Sequence, residues 1–230
     1  MFRKFIHLMV KAKEKFLNWV FLDKKIIFAA LLLGFLFTSV VTYSVTYSEE
    51  IQKGIAKEVL RFHVIANSDK GYDQNLKLKV RDEILSKYHD ELESCKDVDE
   101  TKRFFEENMD GVISTAKEVI KREGFDYDVK AFIGKSSFPT KKYGDISFPA
   151  GEYDALKIEI GNANGKNWWC VMFPPLCFVD ISKSSVAQSS KNELENILTE
   201  EEYGIVVNSQ KDNSFKVKFK IVELWEELFS

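Results

Sequence analysis

The feature that most constrains this 230-residue chain is a run of 20 residues without a charge, at positions 26–45. At about 1.5 Å of rise per residue, a helix of this length spans about 30 Å, the thickness of the hydrocarbon core of a bilayer. Two lysines precede the run and two glutamates follow it at positions 49 and 50. A buried core helix is the alternative, but the uncharged length and the charged residues at both ends favour a membrane span. We therefore predict that residues 26–45 form a transmembrane helix in contact with the lipid bilayer.

Charge is distributed unequally on the two sides of this span. Residues 1–25 hold seven lysines and arginines against two acidic residues, a charge of +5; since the whole chain carries −3, residues 46–230 carry −8. Positively charged flanks stay in the cytoplasm. This predicts a short inner segment and an exported acidic domain, which lacks the basic face that nucleic acid requires.

The residues around the span bear on whether it is cleaved after export. Secretory signals have a shorter basic lead and a cleavage site of the small-x-small type. Here about 25 residues come first, and positions 38–44 offer no clean site of that kind. We favour an uncleaved anchor over a signal peptide. The lysine-rich, partly apolar segment 1–25 fits both a basic amphipathic helix on the inner membrane surface and a merely solvated lead.

The rest of the chain is assigned to a linker at residues 46–58 and one globular domain at residues 59–230. Strands are predicted where β-branched and aromatic residues cluster or alternate, and helices where apolar residues recur every three to four positions. The predicted strands are 59–66, 127–133, 156–160 and 215–221. The predicted helices are two main amphipathic ones at 74–92 and 97–123, a shorter one from Ser190 that ends before Gly204, and a turn at 223–228. The fold class is therefore α+β with an antiparallel or mixed sheet.

An aromatic run at residues 168–178 contains two tryptophans, two phenylalanines, two prolines and two of the three cysteines. A tight turn at Phe173 and Pro174 would place Cys170 and Cys177 opposite each other in a hairpin, within disulfide range. An exported domain permits that bond. Two buried free thiols are the alternative, because free cysteine is commonly buried. Cys95 is left over and is expected to be unpaired.

The same run contains the candidate partner-binding residues. Either they are core, or they present a rigid apolar ridge to another protein. Neighbouring residues of a strand point to opposite faces of the sheet, so both tryptophans can be buried only if both faces are covered. We therefore expect at least one tryptophan to be partly exposed. The candidates are Trp168, Trp169, Phe173, Pro174 and Pro175.

A catalytic or metal-binding constellation is not evident in the sequence. Ser68, His63 and Asp69 lie in one strand and turn, which does not readily give triad geometry, and no Gly-x-Ser-x-Gly elbow is present. The three histidines and three cysteines lack zinc-site spacing. The glycine-containing segment 161–167 is interpreted as a hairpin turn, since it lacks the phosphate-loop pattern. We expect a non-enzyme without cofactor or metal, in which His63 is structural.

Three stretches together resemble the stage II sporulation protein R family: residues 62–82, 137–153 and 167–178. The resemblance implies a signalling protein made in the forespore and exported into the space between the two septal membranes. There it would trigger a membrane-embedded aspartic protease that cleaves the precursor of the early mother-cell sigma factor. Two alternatives remain: a membrane-anchored binding module for a cell-wall or small-molecule ligand, and an exported hydrolase.

Overall fold

The computed structural model describes residues 24–178 and 188–208, together with residues 9, 11, 13 and 186. The chain divides into two compact units, 1–50 and 51–230. Helix α1 begins at Lys24 and ends at Lys57. In the described ranges it is the one helix long and apolar enough to cross a membrane, and a signal sequence would meet the same criteria. Most of the predicted amphipathic segment 1–25 lies outside the described residues.

A four-stranded mixed sheet forms the centre of the second unit, with strand order β2-β5-β1-β6. The strands are β1 Leu60–Ile65, β2 Val129–Phe138, β5 Gly151–Ile160 and β6 Asn167–Phe173. Strand β1 runs parallel to β5 and antiparallel to β6, while β2 runs antiparallel to β5. Two short strands, β3 Lys141–Tyr143 and β4 Ile146–Phe148, pair separately as the β3–β4 hairpin. The predicted α+β class with a mixed sheet is confirmed.

The connection between β5 and β6 differs from the prediction. Because β1 lies between these two strands, residues 161–166 cross the end of β1 and do not close a hairpin. Backbone hydrogen bonds hold the crossing, from Gly165 N to Ala66 O at 2.9 Å and from Asn164 N to Asn67 O at 3.2 Å. A Cβ atom at Gly165 would lie 2.3 Å from the carbonyl oxygen of Ser68, so only glycine fits at this close approach.

Each of the two predicted main helices is split into two. The observed helices are α2 Gly71–Lys87, α3 His89–Ser94, α4 Val98–Glu107 and α5 Met109–Arg122. The breaks fall at Tyr88 and Asn108, which share a backbone conformation near φ −107° and ψ 18°. Tertiary packing accompanies the first break, because the ring of Tyr88 lies edge-on to Phe104 and Phe105. The predicted cap of α4 is present: Asp97 accepts a hydrogen bond from Glu100 N at 2.7 Å.

Both faces of the sheet are covered, which makes the second unit a three-layer arrangement. Helices α2–α5 cover the first face, where Leu60, Phe62 and Val64 of β1 are buried. The end of α1, the β3–β4 hairpin, and helices α6 Gln188–Ile197 and α7 Glu200–Asn208 contribute to the second core. Residues 46–57, predicted as a linker, are therefore helical, and Ile55 is fully buried.

Helix α7 also departs from the prediction at its C-terminal part. It continues through Gly204, where the sequence predicted that the helix had already ended. A glycine in a helix costs about 1 kcal/mol relative to alanine. Packing of α7 against β4, with Val206 fully buried, supplies the compensation. The predicted strand 215–221 and turn 223–228 lie outside the described residues.

Candidate functional site

The two tryptophans of the aromatic run lie on opposite faces of strand β6, which is the last strand of the described sheet. Trp168 stands opposite Val64 and Trp169 opposite His63 of β1. Trp168 belongs to the first face, where its ring lies edge-on to Phe62 at 5.8 Å, and Trp169 packs against the second core. Both side chains are half-buried, so partial exposure extends to both tryptophans.

A cation lies over each of these two rings. The guanidinium of Arg81, on α2, is 4.7 Å from the ring centre of Trp168, and the ammonium group of Lys141, on β3, is 4.6 Å from that of Trp169. Such cation–π contacts are each worth about 0.5–2 kcal/mol, depending on desolvation. The tryptophans therefore connect β6 to both covering layers, through α2 on the first face and β3 on the second.

The remaining candidates of the aromatic run do not join the tryptophans in one exposed ridge. Phe173 is 1% exposed and Pro174 is buried, while Pro175 is half-buried. The peptide bond between Phe173 and Pro174 is cis. The expected ridge is corrected on this point: the C-terminal end of β6 is covered on both faces, which leaves Phe173 and Pro174 in the interior. Docking through Trp168, Trp169 and Pro175 stays a prediction.

Cys170 and Cys177 are joined by a disulfide, with their Cα atoms 5.5 Å apart. They are not opposed in a hairpin, as the sequence suggested. Strand β6 ends at Phe173, and Cys177 lies in a single 3₁₀ turn, Leu176–Phe178, that folds back against β6. The Sγ atom of Cys177 lies 2.9 Å from the carbonyl oxygen of Val171. Cys95 is a half-buried free thiol, and burial raises its pKa.

Arg61 on β1 is a buried cation that the sequence analysis did not single out. Its Nε donates to Cys170 O at 2.9 Å and its Nη2 to the hydroxyl of Tyr143 at 3.1 Å, but Nη1 has no partner. Four aromatic rings surround the guanidinium, with centres 4.3–5.9 Å from Cζ: Phe138, Tyr143, Phe148 and Tyr153. Burial lowers the pKa of Arg61, yet an arginine stays charged in proteins.

The charge of Arg61 is thus balanced in an unusual way. Within the described part of the chain, no carboxylate forms an ion pair with Arg61. Its positive charge is stabilised instead by the faces of aromatic rings and by two hydrogen bonds. The sequence signal was a single arginine at the second residue of β1, a strand whose other residues are apolar except for His63. Strand alternation places Arg61 on the second face, together with His63.

His63 connects three strands through its two ring nitrogens. Nδ1 lies 2.9 Å from Ser136 Oγ and Nε2 lies 2.7 Å from Asn167 Oδ1. An amide oxygen can only accept, so with this amide orientation Nε2 carries the hydrogen and Nδ1 accepts from the serine hydroxyl. Burial lowers the pKa of His63, which favours the neutral ring. Trp169 stacks on that ring at 5.9 Å and covers it.

The hydrolase trio considered in the sequence is not assembled. Ser68 Oγ donates to Asp73 at 2.5 Å, and Asp69 accepts from the backbone N–H of Lys166 at 2.7 Å, so neither side chain is bonded to His63. We interpret His63 as a cross-link between β1, β2 and β6. Among the described residues, no group of histidines, cysteines and carboxylates has metal-site geometry.

A second polar network, also not anticipated, joins the loop after β1 to the β5–β6 connection. Asp73 is 1% exposed and accepts from Asn67 Nδ2 at 3.0 Å as well as from Ser68. Lys77, 4% exposed, donates to Gln74 Oε1 at 2.7 Å and to the carbonyl of Lys166 at 2.9 Å. The network explains why polar residues follow the strand so closely: they hold two connections at the same end of the sheet.

Two comparisons with known proteins identify the same family. The family model described as stage II sporulation protein R matches residues 56–183. Stage II sporulation protein R of Bacillus subtilis (strain 168) is 35% identical to this chain over 187 residues, which cover 76% of this chain and 84% of that protein. No solved structure matches this chain significantly. The matched residues include β1, the network around Asp73, the β3–β4 hairpin and β6.

Proposed function

Because the chain belongs to the stage II sporulation protein R family, we propose that this sporulation signalling protein activates a membrane-embedded aspartic protease, which then processes the precursor of the early mother-cell sigma factor. Family membership carries this proposal. Three features of the chain support it: an apolar helix near the N-terminus, a disulfide in the globular unit, and the absence of an assembled His63 trio in the described residues.

The site of action follows from the same features. The +5 charge of residues 1–25 favours a cytoplasmic N-terminus in the forespore. The disulfide between Cys170 and Cys177 suits an oxidising, extracytoplasmic location. The globular unit would therefore face the space between the forespore and mother-cell membranes, tethered by α1 if the span is not cleaved. There it would meet the extracytoplasmic part of a protease that lies in the opposite membrane.

Strand β6 is the contact surface that we assign to this interaction. It is an edge strand of the described sheet, and its two half-buried tryptophans are fixed by packing on both sides. Large aromatic groups that are ordered before binding lose little conformational entropy in a complex, which makes them effective contact residues. The half-buried Pro175 lies just beyond the strand.

The test is co-expression of the full chain with the candidate protease and its sigma precursor in a bacterium that does not sporulate, with cleavage of the precursor scored by immunoblot. We expect cleavage that requires all three proteins. Trp168→Phe and Trp169→Phe, which retain an aromatic ring, should each reduce cleavage less than the matched alanine variants. Cleavage without this chain would refute the activator role, as would retention on peptidoglycan with no effect on the protease.

A further inference from the structure

We propose that the edge formed by β6 binds an acidic segment of its protein partner, through a basic rim made of Arg81, Lys141 and Lys166. This inference rests on the proposed function, because it names the chemistry of the partner at the same surface. Its starting point is the position of the three cations. Arg81 lies over Trp168 on the first face, Lys141 lies over Trp169 on the second, and Lys166 directly precedes β6.

The rim is positively charged, although the unit that carries it has a negative net charge. Residues 51–230 have a net charge of −6, yet basic groups lie on both sides of β6 and at its beginning. Arg81 is ion-paired with the neighbouring Asp82, with Nη2 at 2.5 Å and Nε at 2.7 Å from the carboxylate, and the side chain of that aspartate is 62% exposed. Lys141 is placed over an aromatic ring and forms no ion pair among the described residues. The charge of Lys141 therefore has no acidic partner in the described residues, whereas that of Arg81 is shared with Asp82.

A buried lysine beneath the rim supports the clustering of these cations. Lys77 is 4% exposed and bonded to neutral oxygens, those of Gln74 and the Lys166 carbonyl. Burial lowers the pKa of Lys77, and the charges of Arg81 and Lys166 lower it further, while the carboxylate of Asp69, which accepts from the backbone N–H of Lys166, raises it. Three cations thus lie close enough to repel one another. An anionic partner would relieve this repulsion, which a neutral or basic partner would not.

The structure also argues against simple strand addition at this edge. Addition of a partner strand needs free backbone groups along β6. The hydroxyl of Tyr143 donates to the carbonyl of Trp169 at 3.3 Å, and Cys177 covers the carbonyl of Val171. Recognition is therefore expected to use side-chain charge and the edges of the two tryptophan rings. Opposite charges also increase the rate at which the partners meet. Salt weakens this attraction, because the Debye screening length is about 8 Å at physiological ionic strength.

The test uses the purified full chain in detergent, with a six-residue glutamate peptide as the probe and a six-residue lysine peptide as its control. Binding is followed by intrinsic tryptophan fluorescence at low salt. Lys166→Glu is the main variant, because only the backbone of Lys166 forms the hydrogen bonds seen here. Lys141→Glu is the second. Lys117→Glu, on α5 and paired with Asp128, changes the charge equally outside the rim.

We expect the glutamate peptide to bind and the lysine peptide not to bind. Each rim variant should weaken binding about tenfold, with Lys117→Glu close to the wild type. In the co-expression assay both rim variants should reduce cleavage of the precursor, whereas Lys117→Glu should not. Equal binding by all variants, or preferential binding of the lysine peptide, would overturn the inference. If the peptide result is as expected but the wild type never supports cleavage, the proposed function fails and the basic rim does not.

Discussion

Arg61 offers the sharpest test of how the second face of the sheet is held together. It is fully buried, has one unpartnered nitrogen, and is surrounded by four aromatic rings without an acidic partner in the described residues. We consider two substitutions. Arg61→Met keeps most of the side-chain volume and removes the charge, whereas Arg61→Ala removes both.

The expected magnitudes follow from opposing contributions. Two hydrogen bonds from a charged donor contribute about 1.5–3 kcal/mol each, and desolvated cation–π contacts contribute up to about 2 kcal/mol. Against these stand a desolvation cost of several kcal/mol for a buried ion and about 1–3 kcal/mol for the unpartnered Nη1. The two sides nearly cancel, so Arg61→Met should change the free energy of unfolding by less than about 2 kcal/mol. Arg61→Ala leaves a cavity and should lose about 3–5 kcal/mol.

Thermal unfolding of the full chain in detergent, followed by circular dichroism, measures this difference. For a unit of this size, 1 kcal/mol corresponds to about 2–4 °C in Tm. We expect Arg61→Met within about 6 °C of the wild type and Arg61→Ala about 10 °C below it. Arg61→Lys should also fall, because an ammonium group is more strongly hydrated and cannot make the same forked contacts. If the methionine variant falls as far as the alanine variant, the cation itself holds the layer and the reasoning above is refuted.

Two further predictions concern His63 and the disulfide. The pKa of His63 is lowered in the folded state, so the unfolded chain takes up a proton first as pH falls below about 6.5. The contribution of His63 to stability should therefore be complete above that pH and should decline below it. The resulting fall in Tm should be smaller in His63→Gln, and an unchanged fall would assign the effect to other groups. The Cys170–Cys177 disulfide joins residues separated by 7 positions, and its reduction should lower the free energy of unfolding by about 2–3 kcal/mol. The Cys95→Ser variant should still lose stability when reductant is added, whereas the Cys177→Ala variant should not respond.

Local patterns of the sequence were sufficient for strand β1, for the start of helix α4 and for the class of the fold, but not for the full length of β2 and β5 or for the short strands β3 and β4. Strand β1 was placed within one residue at each end because β-branched and aromatic residues end at a turn-forming Asn-Ser-Asp sequence. The capping pattern at Asp97 likewise fixed the start of α4. Both signals act within a few residues of the chain, so no knowledge of the tertiary structure was needed.

Features that depend on distant contacts were not predictable in this way. The break at Tyr88 accompanies ring contacts with Phe104 and Phe105, which come from a different helix. The β5–β6 connection resembles a hairpin turn in composition, and only the insertion of β1 between the two strands makes it a crossing. The environment of Arg61 is assembled from β2, the β3–β4 hairpin and β5, as well as β6.

The two adjacent tryptophans are best understood as a consequence of the three-layer arrangement. An edge strand that is covered on both faces needs a large side chain on each side to fill the space between the layers, and side chains that alternate along a strand place such residues next to each other in sequence. Full burial would require both layers to extend beyond the edge. They do not; each tryptophan is instead covered by a cationic group that lies over its ring, the guanidinium of Arg81 or the ammonium group of Lys141. The aromatic residues therefore fix the positions of the two charges at this edge of the sheet.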